Sequence, residues 1–220
     1  MSESGNRQLP VWQESILLVV TALLMAVIVK GLFLQAFYIP SQSMEPGLLV
    51  NDKILVQKVS YWFGEPNRGD VVVFDDPGGW LGPGESYVAN NPVQKGLELI
   101  GLFPTGGHLI KRVVGVGGDR VVCCDSGSRI TVNGTPLSEP YLQGDPGVTG
   151  DQEFDVVVPE DHLWVMGDNR GNSADSRVHL GDPGGGFVAV DEVVGKAWLR
   201  VWPLDRLGII RDTDTFAAVR

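Results

Sequence analysis

The sequence predicts a mainly β protein: an antiparallel β-sheet domain with a Gly/Pro-rich insertion, preceded by one N-terminal transmembrane helix. Three observations predict it. A single apolar stretch of spanning length stands near the start, short β-branched runs follow it to about residue 203, and Gly, Pro and Asp separate those runs. The 220 residues are 43% hydrophobic, enough to build a core. A formal net charge of -10 disfavours tracking of phosphates, which needs a concentrated basic surface, so nucleic acid is set aside as a partner.

From Ile16 to Val29 the chain reads ILLVVTALLMAVIV without a charge, and after Lys30 the apolar character resumes as far as Phe37. At about 1.5 Å per residue, the segment from Ile16 to Phe37 covers a hydrocarbon layer of roughly 30 Å, and Lys30 can snorkel toward the interface. This divides the chain into a short tail (1–14), a transmembrane helix (15–37) and a β-rich body (38–220). A cleavable secretory signal is the competing reading. It lacks support, because Arg7 is offset by Glu3 and Glu14 and no A-x-A site follows. The lone Arg7 also gives the positive-inside rule almost nothing to count.

The β runs of the body include KILVQKVSYWF (53–63), DVVVF (70–74), HLIKRVVGV (108–116), RVVCC (120–124), HLWVMG (162–167) and VGKAWLRVWP (194–203). Asn133-Gly134 between ITV and TPL is a two-residue hairpin signal. Residues 117–160 group as a smaller inserted β subdomain, and 75–107 form a Gly, Pro and Asn-rich excursion expected to be dispensable for chemistry. Cys123 and Cys124 are adjacent, so they cannot supply a spaced disulfide framework. In a strand they point to opposite faces and read as two small apolar residues, with a vicinal disulfide the minority alternative. Tyr61, Trp62 and Phe63 are candidates for resting in a membrane interface, although core packing is the commoner fate of such residues.

Three segments carry candidate chemistry. PSQSMEPGL (40–48) follows the apolar stretch so closely that Ser43 lies within about 20 Å of chain from Phe37. HLIKRVVGVGGD (108–119) places Lys111 on the strand face of Leu109 and Val113, an unusual site for a lysine, while Arg112 points the other way. MGDNRGNSADSR (166–177) is a polar loop whose Asp and Asn residues could simply hold a turn.

The segments PSQSMEPGL, NRGDVVVF, KRVVGVGGD and GDNRGNSADSR occur in the order and rough spacing of bacterial type I signal peptidases, which the chain resembles from about residue 12 to about 203. The 75–107 excursion and the paired cysteines are similar to features of actinobacterial members. The resemblance implies a membrane-anchored serine endopeptidase that removes N-terminal signal peptides from secreted preproteins, after small residues one and three positions before the cut. Residue by residue, it implies Ser43 as nucleophile and Lys111 as general base. Ser41 would serve the oxyanion, Ser173 would hydrogen-bond the lysine, and Asp175 with Arg177 would form a bracing ion pair. It implies no metal or cofactor, a monomer, and a catalytic domain on the extracytoplasmic side of the plasma membrane. Gly47 stands where the family often has Thr, and GVGGD lacks a common proline; neither position supplies a reacting atom.

A free lysine of pKa near 10.4 is neutral in only about one molecule in two or three thousand at pH 7. Burial against Leu109, Ile110 and Val113 disfavours the ammonium and gives such a base a physical origin. Rival readings are a histidine-dependent hydrolase using His108, His162 or His179, a self-cleaving Ser/Lys regulator, and a non-catalytic membrane-tethered β module. The first lacks a GxSxG context, and the second lacks a DNA-binding region. The third gives no reason for Ser43, Lys111 and Ser173 to occur together.

Overall fold

The computed structural model describes residues 10–62, 64–82, 91, 107–142, 152–211 and 214–219, with the side chains of 28–32 left undescribed. Phe63, the start of the N-terminal tail and most of the 75–107 excursion lie outside the described residues. Helix α1 (Val11–Phe33) comes first, and its apolar side chains from Ile16 to Val27, Leu17, Leu18 and Leu24 among them, stand exposed among the described residues. Among the described residues no helix is long and apolar enough to cross a membrane.

The helix is shorter at its C-terminal end than the apolar stretch predicted. Leu34–Tyr38 form strand β1, not a last helical turn. Phe37 turns into the core at 8% exposure and pairs with Ile54. Apolar content served both environments alike, so hydropathy could not separate lipid contact from sheet core at this point.

The strands that follow are β2 (Lys53–Gln57), β3 (Val71–Asp75), β4 (His108–Val116), β5 (Arg120–Cys123), β6 (Thr131–Val132) and β7 (Thr135–Pro136). After these come β8 (Phe154–Val157), β9 (His162–Met166), β10 (Val188–Ala189), β11 (Val193–Trp202) and β12 (Gly208–Ile209). The larger sheet runs β1-β2-β11-β3-β4-β9-β10 with β12 on β11, and the smaller runs β7-β6-β5-β8; the described pairings are antiparallel. The run VVVF in β3 is buried at every position, as a strand covered on both faces requires. Val71 and Val73 face a cluster with Ile110, Met44 and Leu48, whereas Val72 and Phe74 face one with Val113 and Val165.

Asn133 and Gly134 both take positive φ, 52° and 77°, and close the β6–β7 hairpin. The smaller sheet buries Val121, Val132 and Phe154 against Trp164 and Met166 of β9, so its core is continuous with the larger sheet. Cys123 and Cys124 form a disulfide, correcting the preferred reading of two unbonded apolar residues. The bond draws both side chains into the same apolar cluster, which strand alternation alone did not anticipate.

Candidate active site

The turn after β1 is pinned by its apolar residues. Met44 and Leu48 are sunk in the core, and the Leu48 N–H donates to the Met44 carbonyl at 2.9 Å. Ser43, between the exposed Gln42 and this anchor, is only 6% exposed. Its carbonyl accepts the Asn169 N–H at 3.0 Å. Lys111 reaches it from β4, where its backbone lies opposite Val72 of β3, and Nζ donates to Ser43 Oγ at 2.9 Å. Ser41 Oγ lies 3.3 Å from Ser43 Oγ.

Lys111 is 4% exposed, and burial lowers its pKa from 10.5 to about 8. The carboxylates of Asp175 and Asp168 oppose that effect, and the Arg177 guanidinium adds to it. Leu109 and Val113, the strand neighbours on its face, belong to the Val72–Phe74 cluster, so the apolar surroundings anticipated for this amine are present.

The loop after β9 supplies the rest. Asp175 accepts from Arg177 Nε at 2.9 Å and Nη2 at 2.8 Å, and the Gly167 N–H donates to its Oδ2 at 2.9 Å. These donors hold the buried Asp175 carboxyl below its usual pKa despite desolvation, which acts the other way. Ser173 lies beside Gly167, but its buried Oγ makes no hydrogen bond to Lys111, contrary to the expectation for it. It stands near enough to Asp175 to favour that carboxylate's charge. Asp175→Asn would leave Arg177 buried with its charge uncompensated. A loss of about 3–5 kcal/mol in urea unfolding is expected.

Several contributors escaped the sequence reading. Asp168 receives Arg112 in a two-pronged bond (2.8 and 2.7 Å), and Arg170 pairs with Glu139 while its Nε donates to the Gly167 carbonyl at 3.1 Å. The opposed charges of the KR and GDNR segments were visible, but nothing in a linear pattern couples Arg112 to a residue 56 positions on. Gly167 was likewise unmarked, although a Cβ there would meet Ser43 O at 2.5 Å. The histidines have other partners: His108 faces Asp75, His162 contacts the Glu160 carbonyl, and His179 meets Asp182 and stacks on Trp80. Among the described residues no cluster of three or more His, Cys, Asp or Glu could hold a metal ion.

A buried lysine bonded to a serine hydroxyl on a β scaffold is the arrangement of serine hydrolases that operate without histidine. The profile of the family described as "Signal peptidase, peptidase S26" matches residues 12–202, and the chain belongs to that family. It is 41% identical to a signal peptidase I of Mycobacterium tuberculosis over 92% of this chain and 76% of that one. A probable signal peptidase I of Mycobacterium leprae is 40% identical, covering 94% and 81%. A solved signal peptidase I from Enterococcus faecalis is 25% identical, covering 60% of this chain and 97% of that one with a TM-score of 0.37.

Proposed function

We propose that this chain is a membrane-anchored serine endopeptidase that removes N-terminal signal peptides from secreted preproteins, with Ser43 as nucleophile and Lys111 as general base. The observation that carries the reading is the 2.9 Å bond between Lys111 Nζ and Ser43 Oγ, made by a lysine whose burial lowers its pKa toward the working pH. At a pKa of about 8 roughly one molecule in ten is neutral at pH 7, several-hundredfold more than for a free lysine.

Neutral Lys111 takes the Ser43 hydroxyl proton as Oγ bonds to the scissile carbonyl carbon. The oxyanion is met by Ser41 Oγ and the Ser43 N–H, each donor worth a few kcal/mol. Nζ then gives its proton to the leaving amine as the C–N bond breaks, forming an acyl-enzyme. Lys111 next takes a proton from water as its oxygen attacks the ester carbon, and returns that proton to Ser43 Oγ as the C–O bond breaks, which frees the acyl product and restores the serine hydroxyl.

The substrate lies as an extended strand across the hollow between Phe37–Pro40 and His108–Ile110. That hollow is shallow and lined largely by apolar side chains, Phe37, Ile39, Ile54, Val73 and Ile110 among them, a surface suited to short apolar residues before the cut. The bilayer is the second partner. Helix α1 offers exposed apolar side chains, and Trp202, Leu204, Leu207 and Ile209 stand out at 49–69% exposure on one edge of the body. With 1–14 cytoplasmic, residues 38–220 work outside the plasma membrane as a monomer.

Detergent-solubilised protein should cleave a fluorogenic signal-peptide substrate, and Ser43→Ala should not. Because the working base is the unprotonated amine, kcat should rise nearly tenfold per pH unit below about pH 8 and level off above it. A flat profile from pH 6 to 9 would sink the assignment of Lys111.

A further inference from the structure

The loop that carries Ser43 rests on the segment Gly167–Asn169. The Asn169 N–H holds the Ser43 carbonyl, Asn169 Nδ2 donates to the Gln42 carbonyl at 3.1 Å, and Gly167 packs against Ser43 O with no room for a side chain. Two guanidiniums grip that segment from beneath. Arg112 takes the Asp168 carboxylate in two bonds and the Gly69 carbonyl at 2.8 Å, and Arg170 takes the Gly167 carbonyl.

Both guanidiniums end on the same pair of residues, which come from the stretch after the β6–β7 hairpin. Glu139 accepts Arg170 Nη1 and Nη2, the Tyr141 hydroxyl donates to Glu139 Oε1 at 2.6 Å, and the Tyr141 ring lies 4.2 Å from the Arg112 guanidinium carbon. Glu139, Arg170 and Arg112 are each at most 5% exposed, so water cannot substitute for a missing partner. A carboxylate placed merely to neutralise one arginine would need no tyrosine bridging it to a second.

We infer that Glu139 and Tyr141 are positioning residues for Ser43: they lock Arg170 and Arg112 together, and through them the Gly167–Asn169 shelf that fixes the nucleophile. The pair thereby makes the smaller-sheet segment part of the catalytic apparatus, although it touches no reacting atom. This rests on the reading of Ser43 as nucleophile and not on the identity of the substrate. A shelf displaced by a fraction of an ångström misaligns Oγ without altering the surface that binds peptide, so the effect belongs on kcat.

The test uses the full chain in detergent, with wild type, Glu139→Gln and Tyr141→Phe compared in two assays. One is signal-peptide cleavage; the other is the Ser43-dependent burst of p-nitrophenolate from an activated ester, read against Ser43→Ala. Glu139→Gln should lower kcat and the acylation rate about tenfold or more with KM within twofold of wild type. Tyr141→Phe keeps the ring over Arg112 and loses only the hydroxyl, so it should fall about threefold to tenfold while melting as a folded protein. If Glu139→Gln fails to fold, Tyr141→Phe decides. Folded Tyr141→Phe with wild-type kcat and burst rate overturns the inference, as does a loss confined to KM. A wild type that bursts with the ester but ignores the peptide refutes the substrate reading, and the variants' burst rates then still decide the positioning role.

Discussion

Lys111→Met should reduce signal-peptide cleavage by about a thousandfold or more and, at neutral pH, leave a more stable protein. The loss follows because methionine fills the same channel from β4 but cannot accept the Ser43 proton, and among the described residues no other base bonds that hydroxyl. The gain follows from linkage. Burial lowers the lysine from 10.5 to about 8, so the native state binds fewer protons than the unfolded chain between those values, and stability rises with pH across that window. Below about pH 8 the full penalty is present. At roughly 1.4 kcal/mol per tenfold change it amounts to about 3 kcal/mol, on an amine that is 4% exposed. Denaturant melts should therefore place Lys111→Met about 1–3 kcal/mol above wild type at pH 7, with the gap narrowing toward pH 10. A variant less stable than wild type at pH 7, or one that retains cleavage, would contradict the account.

The opposite effects on rate and stability distinguish Lys111 from the buried ions around it. Arg112, Arg170 and Arg177 each have a carboxylate in direct contact, and losing that partner should destabilise the fold. Among the described residues Lys111 has only a hydroxyl within bonding distance, with Asp175 and Asp168 acting from farther off. The site thus holds one cation in a position that raises the free energy of its charged form, which is the property a base requires.

How much of this was legible in the sequence depends on the range over which each feature is encoded. Strands β3, β4 and β9 were readable because VVVF, HLIKRVV and HLWV are locally apolar and β-branched, and the β6–β7 turn because Asn133-Gly134 specifies its own backbone. Lys111 was readable because its peculiarity is local: a charge on the same strand face as Leu109 and Val113. The helix end was misplaced since Leu34–Phe37 are equally suited to lipid and to the sheet core, and only the pairing of β1 with residues 53–57 decides between them. The Glu139–Arg170 and Arg112–Asp168 pairs were illegible for a related reason. Each joins residues separated by 31 and 56 positions, and charge pairing carries no periodicity to follow.

Gly167→Ala should lower kcat by about a hundredfold while Gly171→Ala, four residues on, should leave it unchanged. A Cβ on Gly167 would lie 2.3 Å from Ser173 Oγ and 2.5 Å from the Ser43 carbonyl oxygen, whereas one on Gly171 would meet nothing within 4 Å. The Ser173 hydroxyl could rotate away, but its own Cβ at 2.6 Å and the Ser43 carbonyl are fixed by backbone, so the serine loop or the 167–169 shelf must shift. Either shift moves Oγ relative to Lys111 Nζ, and a displacement approaching 1 Å is worth about a hundredfold in rate. Overpacking also costs about 1–3 kcal/mol of stability, so destabilisation has to be separated from misalignment. Gly195→Ala provides the comparison: its Cβ would crowd the Gln57 carbonyl at 2.5 Å, as tightly as at Gly167 but against β2 and not against Ser43. Equal losses of stability in Gly167→Ala and Gly195→Ala, with kcat falling only in the first, would show that the glycine serves the position of the nucleophile. Parallel falls in both would reduce it to a packing requirement of the sheet.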